Sequence, residues 1–315
     1  MVVLVNSGCQ QHADNKQENS TVESAFYQYT QLHLGVQVRI ALYAEKEENA
    51  EVAAKASFAR IAALEDIFSN YRPKSELSAL STEAYRKYIK VSDELFFLLE
   101  TSQAFAAATD GAFDITLGPM AALWKQARKD TLLPDLEALA AAREKSGWKL
   151  LELDVETKSA RLRQAGMQLD AGGIAKGYIL DEAMQTLNQH GITSALIEAG
   201  GDLVVSAAPP GRAGWTIEVP GAPANSPIQQ RATTLTHAAI ATSGDTAQFV
   251  EINGIRYAHI INPKTGLGNT SGTVATVIAP NGITADKFAT ALTVITAEAA
   301  TALLRQNPTI FALIQ

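Results

Sequence analysis

The sequence lacks the features that several large classes of protein require. It has one cysteine, Cys9, in 315 residues, which excludes an internal disulfide and a cysteine-based zinc site. It has no run of about 18 apolar residues, so no membrane-spanning helix is expected. The net charge is −7 and basic residues are not clustered, which argues against nucleic acid as a partner because phosphate backbones require grouped Lys and Arg. The hydrophobic content of 47% is that of a globular protein with a sizeable core.

The first 21 residues are predicted to form a disordered tether. Met1 to Val5 are apolar, and Cys9 opens a polar stretch that continues to Thr21. This pattern is typical of the end of a lipoprotein signal followed by a flexible segment, which makes Cys9 a candidate lipid anchor. A basic first region and a long apolar region are missing, and Asn6 stands where such signals usually have Leu. An ordinary disordered N-terminus is therefore the alternative, and residues 22–315 form the predicted folded domain.

Hydrophobic periodicity predicts an α+β fold with mixed, largely antiparallel sheets and packed helices. Apolar residues at helical spacing predict helices over 48–70, 174–190 and 285–306, and Ser92 is a suitable N-cap for another. Alternating patterns predict a hairpin over 148–162 and strands over 35–44, 194–197, 203–206, 215–219, 238–242, 256–262, 273–279 and 310–314. Because strands and helices do not alternate one for one, a Rossmann-like arrangement is disfavoured.

A glycine pair and a lysine stand at the start of the predicted helix over 174–190. Asp170 ends a predicted strand, and Gly172 and Gly173 would let the backbone approach a ligand closely. The first N–H groups of a helix favour an anion, whereas Lys176 in the first turn opposes the helix dipole. A phosphate or carboxylate facing Lys176 would explain that cost. The pattern is neither a Walker A loop nor a complete Gly-x-Gly-x-x-Gly fingerprint, so a tight turn with a solvated lysine is the alternative.

Asp286 and Thr290 are four residues apart in a predicted helix and therefore share one face. A carboxylate and a hydroxyl suit Mg²⁺, whose other positions are filled by water, phosphate and backbone carbonyls. Thr284 is predicted to cap this helix, so an acid at Asp286 would also complement the helix dipole. Both interpretations stay open at this point.

Three further segments and two aromatic residues are candidates. His259 lies in the predicted strand over 256–262, before a tight turn, and is either a ligand-facing group or a hydrogen-bonded structural residue. The stretch 241–245 could carry a nucleophile but lacks the leading glycine of a hydrolase elbow. The stretch 200–202 is expected to be a turn that can bring backbone close to a ligand. Tyr71 and Phe113 would either stack on an aromatic ring or pack in the core.

Seven motifs follow one another along the chain in a fixed order. They are YRPKSEL (71–77), GAFDITLGP (111–119), DAGGIAKG (170–177), GGD (200–202), ATSGD (241–245), HIINPKTG (259–266) and ADKFATAL (285–292). In this order they resemble the ApbE family, the FAD:protein FMN transferases once described as thiamine-biosynthesis lipoproteins. The resemblance runs from about residue 32 to the C-terminus and implies an ApbE-type α+β fold that binds FAD and Mg²⁺.

The resemblance also implies a role for particular residues. Lys176 and Asp170 would hold the phosphate and adenosine portions of FAD, and His259 would line the reacting end. The candidate base is His259 or a carboxylate. The other residues implied to contact FAD are Leu34, Tyr71, Ala112, Phe113, Asp114 and Ile260. The Gly173 carbonyl, Asp286 and Thr290 would ligate Mg²⁺, which makes Asp286 catalytic as well.

Two positions depart from the family pattern. Leu34-Gly35-Val36 stands where the family commonly has Met-Gly-Thr, and Leu34 can keep apolar contact with the flavin. Asn262 replaces the aspartate that is frequent before Pro-Lys/Arg-Thr-Gly. Neither change touches the implied metal ligands.

The activity implied by the resemblance is cleavage of the FAD pyrophosphate, attachment of FMN to a threonine of an acceptor flavoprotein through a phosphoester, and release of AMP. The implied acceptors are subunits of electron-transfer complexes. The implied location is the periplasm, with an inner-membrane lipid anchor at Cys9. The alternatives are a metal-dependent FAD pyrophosphatase that gives FMN and AMP, and a flavin-binding protein without turnover.

Overall fold

The computed structural model describes residues 24–219, 232–244 and 249–315. The predicted tether with Cys9 and the Asp245 end of the 241–245 stretch lie outside the described residues. Within these ranges the chain forms the predicted α+β fold. None of the described helices is long and apolar enough to cross a lipid bilayer.

The described part of the chain contains eight α-helices and fourteen strands. The helices are α1 (Glu47–Phe68), α2 (Glu76–Glu83), α3 (Asp93–Ala108), α4 (Gly118–Asp130), α5 (Leu136–Glu144), α6 (Ala175–Gln189), α7 (Gly282–Leu292) and α8 (Ala297–Gln306). The strands are β1 (Ala25–His33), β2 (Val36–Ala44), β3 (Ile89–Lys90), β4 (Leu151–Asp154), β5 (Ser159–Leu162), β6 (Ala195–Ala199), β7 (Asp202–Val205), β8 (Trp215–Glu218), β9 (Ala232–Leu235), β10 (Ala238–Ser243), β11 (Phe249–Ile252), β12 (Ile255–Ala258), β13 (Ala275–Ala279) and β14 (Phe311–Ile314).

A seven-stranded sheet runs through the centre of the fold in the order β1-β2-β6-β7-β10-β13-β14. All of its pairings are antiparallel. Val38, Ile40 and Leu42 of β2 are fully buried, and Ile40 lies opposite Ile197 of β6. A slip of one residue would turn these side chains to the other face, so the alternation of apolar residues fixes the register.

Helices α1, α3, α6 and α7 form the main hydrophobic core with one face of this sheet. The predicted face of α6 is buried, from Ile179 to Leu187, and Gly191 follows the helix with a φ of 80°. Ser92 caps α3 as predicted, because its side chain accepts the Leu95 N–H at 3.2 Å. On the other face of the sheet, Trp215 of β8 packs in a smaller core.

A second hydrophobic core, formed by α4, α5 and the β11–β12 hairpin, is separate from the main core. Trp124 of α4 is 1% exposed, and its ring centroid lies 5.2 Å from that of Tyr257. Trp124 Nε1 donates a hydrogen bond to the carbonyl oxygen of Gly266 at 2.9 Å. The loop that carries His259 is therefore anchored on α4.

Two sequence predictions about the C-terminal helices are wrong. The helical pattern over 285–306 is divided into α7 and α8, and Thr296 caps α8 by accepting the Ala299 N–H at 3.3 Å. Helix α7 begins before Thr284. Asn281 is its cap, since the Asn281 side chain accepts the Thr284 N–H at 3.0 Å.

The prediction of a strand that ends at Asp170 is also wrong. This segment is extended, but it makes only an isolated bridge between Gln168 and Leu117. The Asp170 N–H donates to the Ile115 carbonyl oxygen at 2.7 Å. The segment therefore attaches to the loop before α4 and not to a sheet.

Candidate functional site

The crossing of α6 and α7 brings together two motifs that are far apart in sequence. A Cβ atom on Gly177 of α6 would lie 2.1 Å from the carbonyl oxygen of Gly282 in α7. Only glycine permits such a close approach of two backbones. At the same crossing, Asp286 Oδ2 accepts a hydrogen bond from the Gly177 N–H at 3.0 Å. The carboxylate of the C-terminal motif is thereby fixed to the first turn of the glycine-lysine helix.

Oxygen donors converge beside this crossing. Thr290 Oγ1 lies 3.4 Å from the Gly173 carbonyl oxygen and 3.4 Å from Ser243 Oγ. A Cβ on Gly173 would meet Thr290 Oγ1 at 2.9 Å, so a larger residue here would displace the Thr290 side chain. Asp286, one helical turn before Thr290, is 2% exposed.

The donor set fits a hard cation. Carbonyl, hydroxyl and carboxylate oxygens are the ligands that Mg²⁺ prefers, and one or two carboxylates with substrate phosphates are its usual set. Within residues 24–219, 232–244 and 249–315, no group of three His, Cys, Asp or Glu side chains could hold a metal ion. The predicted set of Gly173, Asp286 and Thr290 is compatible with this, because it has one carboxylate and takes its other oxygens from a hydroxyl and a carbonyl.

A buried cluster of charges surrounds Asp286. Burial raises the pKa of Asp286 to about 7, although the neighbouring Lys176 ammonium acts in the opposite direction. Lys176 of α6 forms an ion pair with Asp202, the first residue of β7. Burial by itself lowers the pKa of Lys176, but the carboxylates of Asp286 and Asp202 outweigh that effect and raise it. Lys176 is therefore a fixed cation in the site.

Gly173, Lys176, Asp286 and Thr290 lie in the wall of a cavity of about 930 Å³. Pockets for cofactors and other small molecules usually have volumes in the range of about 300–1,000 Å³. The cavity is lined by all of the predicted site residues except Leu34, namely Tyr71, Ala112, Phe113, Asp114, Asp170, Gly173, Lys176, His259, Ile260, Asp286 and Thr290. Leu34 lies in the β1–β2 turn with a φ of 55° and packs against the main core.

The mouth of the cavity combines an aromatic ring with basic side chains. Tyr71 is 69% exposed, and Lys125 Nζ lies 4.3 Å from its ring centroid. Arg128, one turn after Lys125 on α4, lines the same cavity. This rim offers a stacking surface and positive charge to a ligand that is both aromatic and anionic.

Asp170 faces the cavity beside the glycine pair. Its Oδ1 accepts the Gly172 N–H at 2.9 Å. Burial raises the pKa of Asp170, while hydrogen bonds from Gly172 and Asn70 and the charge of Arg128 oppose the rise. The Asp170 carboxylate therefore accepts a hydrogen bond within its own loop and also lines the cavity.

Asp114 and Phe113 line the cavity and also hold the structure together. Asp114 Oδ1 accepts the Thr116 N–H at 2.8 Å and the Thr116 hydroxyl at 2.7 Å. Asp114 Oδ2 accepts the Trp148 N–H at 2.9 Å, and burial raises the pKa of Asp114. Phe113 is 3% exposed and packs against Phe105, with ring centroids 5.3 Å apart.

His259 and Ile260 follow β12 in a bend that reaches the cavity. His259 is exposed, whereas Ile260 is 9% exposed. In the adjoining turn, Asn262 Oδ1 accepts the Lys264 N–H at 2.9 Å and the Asn262 carbonyl oxygen accepts the Gly266 N–H at 2.8 Å. An aspartate could accept the same bonds, so the departure at Asn262 preserves the turn.

Sequence reasoning missed Asp202 and Ser243 as members of the site. Asp202 was expected only as part of a turn, yet it is 3% exposed and pairs with Lys176. The sequence did contain a signal for Asp202, since an acidic residue stands directly before the apolar run Leu203 to Val205. A carboxylate in such a buried segment requires a partner of opposite charge. Ser243 lies near the metal-ligand candidates and not in a hydrolase elbow.

Comparison with known proteins adds independent information. The sequence profile of the ApbE family matches residues 34–314. The chain is 32% identical over 303 residues to a FAD:protein FMN transferase of Treponema pallidum, covering 91% of this chain and 83% of that protein. It is 29% identical to a FAD:protein FMN transferase of Klebsiella pneumoniae, covering 92% and 89% of the two chains.

Solved structures give the same result for the fold. An ApbE protein of Thermotoga maritima superposes with a TM-score of 0.81 at 30% identity, covering 92% of this chain and 94% of its own. The flavinyl transferase ApbE of Pseudomonas stutzeri superposes with a TM-score of 0.80 at 26% identity, covering 93% and 91%. The family profile spans the fold from the β1–β2 turn to β14 and includes every residue that lines the cavity, and the chain therefore belongs to the ApbE family.

Proposed function

We propose that this protein is an Mg²⁺-dependent FAD:protein FMN transferase. The observation that carries the proposal is the convergence of Asp286, Thr290 and the Gly173 carbonyl, with the fixed cation Lys176, in one large cavity. A flavin-binding protein without turnover does not require hard-cation ligands beside a pyrophosphate. The names of the relatives, matched over most of their length, support the same activity.

The cavity offers a distinct environment for each part of FAD. Tyr71 at the exposed mouth supplies an aromatic face for a planar ring. Lys176 and the N–H groups at the start of α6 supply positive potential for the pyrophosphate. Asp170, on the loop that leads into α6, accepts hydrogen bonds from the adenosine portion.

Asp286, Thr290 and the Gly173 carbonyl would hold Mg²⁺ in this proposal. When bound, the ion would neutralise negative charge on the pyrophosphate and stabilise the phosphate of AMP as a leaving group. The three donors come from α7 and from the loop before α6, so the helix crossing at Gly177 positions them relative to one another.

The transfer forms one phosphorus–oxygen bond and breaks another. The threonine hydroxyl oxygen of the acceptor attacks the phosphorus of the FMN half, the bond from that phosphorus to the bridging oxygen breaks, and AMP leaves with the bridging oxygen. The hydroxyl proton passes to a base, for which we propose His259 because it lies at the exposed side of the cavity. An acceptor protein can reach that side.

We further propose that the acceptor is a flavoprotein subunit of an electron-transfer complex and that the enzyme acts in the periplasm, anchored through Cys9. The small and polar residues around Cys9 support the anchor. Mass spectrometry of the N-terminal peptide from membrane-extracted protein tests it. The expected result is a diacylglyceryl thioether on Cys9 that is absent from Cys9→Ser, and an unmodified Cys9 would contradict the anchor.

The activity is tested with purified protein, FAD and Mg²⁺, with and without an acceptor domain that contains the target threonine. We expect the acceptor to gain the mass of an FMN phosphoryl group while AMP appears, and an acceptor with that threonine changed to alanine to gain nothing. FMN and AMP without a labelled acceptor would favour the pyrophosphatase. Intact FAD would contradict both enzymes.

A further inference from the structure

Lys176 and Asp286 line the cavity, and the buried carboxylate of Asp202 lies next to them, paired with Lys176. The Asp286 carboxylate accepts the N–H of Gly177, the residue after Lys176, at 3.0 Å, and so lies beside Lys176, whose pKa its charge raises. The Lys176 ammonium therefore pairs with Asp202 and not with Asp286, although both carboxylates are its neighbours.

The direction of this pairing matters because an ammonium and a divalent cation compete for the same carboxylate. Buried charges interact more strongly than exposed ones, so an ammonium paired with Asp286 would oppose a second cation there. Asp286 supplies the single carboxylate of the proposed metal set. A second partner for Lys176 would remove that competition.

Asp202 has the position and the hydrogen bonds to be this partner of Lys176. It begins β7 directly after the tight turn at Gly200 and Gly201, whose φ values are 58° and 96°. Its Oδ1 accepts the Thr242 N–H of β10 at 3.2 Å, while Oδ2 receives the Lys176 ammonium. Asp202 is 3% exposed, so its carboxylate is buried with these two partners. The neighbouring strand β10 thus fixes the position of the Asp202 carboxylate.

We propose that Asp202 is a positioning residue that draws the Lys176 ammonium away from Asp286 and so leaves the Asp286 carboxylate available to the divalent cation. This inference rests on the proposed function, because it takes Asp286 as a metal ligand. The turn at Gly200, Gly201 and Asp202 would then act through the Asp202 side chain, which positions Lys176, and not by bringing its backbone close to the ligand. Asp202 does not contact the cation; it acts through Lys176.

The test measures metal binding without catalysis. Mn²⁺ is titrated into metal-free, flavin-free full-length protein by calorimetry. For Asp202→Asn we expect the Mn²⁺ dissociation constant to rise about 10- to 100-fold, which is typical for the loss of a residue that supports a metal ligand. For the double variant Asp202→Asn/Lys176→Met we expect the constant to return close to the native value, because the competing ammonium is gone.

Glu76→Gln is the matched control. Glu76 is a half-buried, hydrogen-bonded carboxylate, but it lies outside the cavity and accepts its hydrogen bonds from the Ser92 N–H and hydroxyl. Its replacement is expected to leave the Mn²⁺ constant unchanged. Circular dichroism of each variant verifies that the fold is retained.

Three outcomes would overturn the inference. Unchanged Mn²⁺ affinity in Asp202→Asn would show that Lys176 does not compete for Asp286. Loss of affinity that Lys176→Met does not restore would make Asp202 a structural residue of the β7–β10 pairing. Absence of Mn²⁺ binding by the native protein would remove the metal site itself, while the acceptor-labelling experiment would still decide whether FMN is transferred.

Discussion

The Asp181 carboxylate of α6 caps α7, since Oδ2 accepts the Ile283 N–H at 2.9 Å. Oδ1 accepts the Gly282 N–H at 2.6 Å. A helix is more often capped by a residue just before its first turn. Here Asn281 caps the Thr284 N–H, and a carboxylate of a different helix accepts the two N–H groups before it. Helices α6 and α7 are therefore joined both by this carboxylate and by the contact between Gly177 and Gly282.

The first prediction concerns the pH dependence of stability. Burial raises the pKa of Asp181 from 3.8 to about 6, so the folded state binds this proton more tightly than the unfolded chain. The resulting stabilisation is fully present below about pH 4 and is lost as the pH rises through 6. It amounts to about 3 kcal/mol. Urea denaturation from pH 4 to 7 measures the free energy of unfolding of the native protein and of Asp181→Asn. The native value should fall relative to the variant value by this amount. A difference between the two proteins that does not change with pH would contradict the prediction.

Gly177→Ala should separate α6 from α7. The new methyl group would lie 2.1 Å from a backbone oxygen, which cannot move as a flexible side chain does. We expect a loss of about 1–3 kcal/mol in the free energy of unfolding, measured by urea denaturation, together with weaker metal binding. Gln189→Ala, at an exposed position of α6, is the control and should change the stability little.

Thr290→Val tests the hydroxyl as a metal ligand. Valine keeps the shape of threonine but removes Oγ1, so the Mg²⁺ concentration for half-maximal FMN transfer should rise by about tenfold or more. Thr284→Val changes a half-buried threonine of the same helix outside the cavity and should leave that concentration unchanged. Equal Mg²⁺ dependence in all three proteins would exclude Thr290 from the metal site.

Tyr71→Ala tests the stacking surface at the mouth. Because Tyr71 is 69% exposed, we expect the free energy of unfolding to change by less than about 0.5 kcal/mol. Loss of an aromatic stacking partner should raise the FAD dissociation constant about 3- to 10-fold. Tyr88→Ala is the control, since Tyr88 is 42% exposed and lies under the Arg161 guanidinium but does not line the cavity. Fluorescence titration of flavin checks both constants.

His259→Ala tests the proposed base. Removal of a general base should lower kcat for transfer by about 10²- to 10⁴-fold. The FAD dissociation constant should change little, because the proposed role is in proton removal. His190→Ala, at the exposed end of α6, is the control. A large change in FAD affinity with unaltered kcat would make His259 a binding residue.

Local sequence patterns predicted the elements whose side chains repeat regularly. Helix α6 and its apolar face, the Ser92 cap and the strand alternation of β2 all follow from spacing that a single segment contains. The break between α7 and α8 did not, because the apolar residues Val294 and Ile295 continue the helical pattern. Its signal was a run of four β-branched residues from Thr293 to Thr296, which disfavours helix and ends at a capping threonine.

Elements that depend on distant partners were not predicted. Strand β1 is an edge strand with mostly exposed side chains, so it lacks clean alternation. Helices α4 and α5 pack on Tyr257 and its neighbours in the second core, far along the chain. The ion pair of Lys176 with Asp202 likewise depends on the strand order β6-β7-β10. The sequence motifs identified the other site residues, but only the fold shows that these residues line one cavity.

The separation between the two hydrophobic cores has a consequence for how substitutions affect the cavity. Phe113 on one wall belongs to the sheet core, and Trp124 and Ile261 on the other belong to the core of α4 and α5. Each wall is thus held by its own packing contacts. Substitutions in the core of α4 and α5 are therefore expected to reshape one wall of the cavity, while Asp286 and Thr290 keep the support of the sheet core.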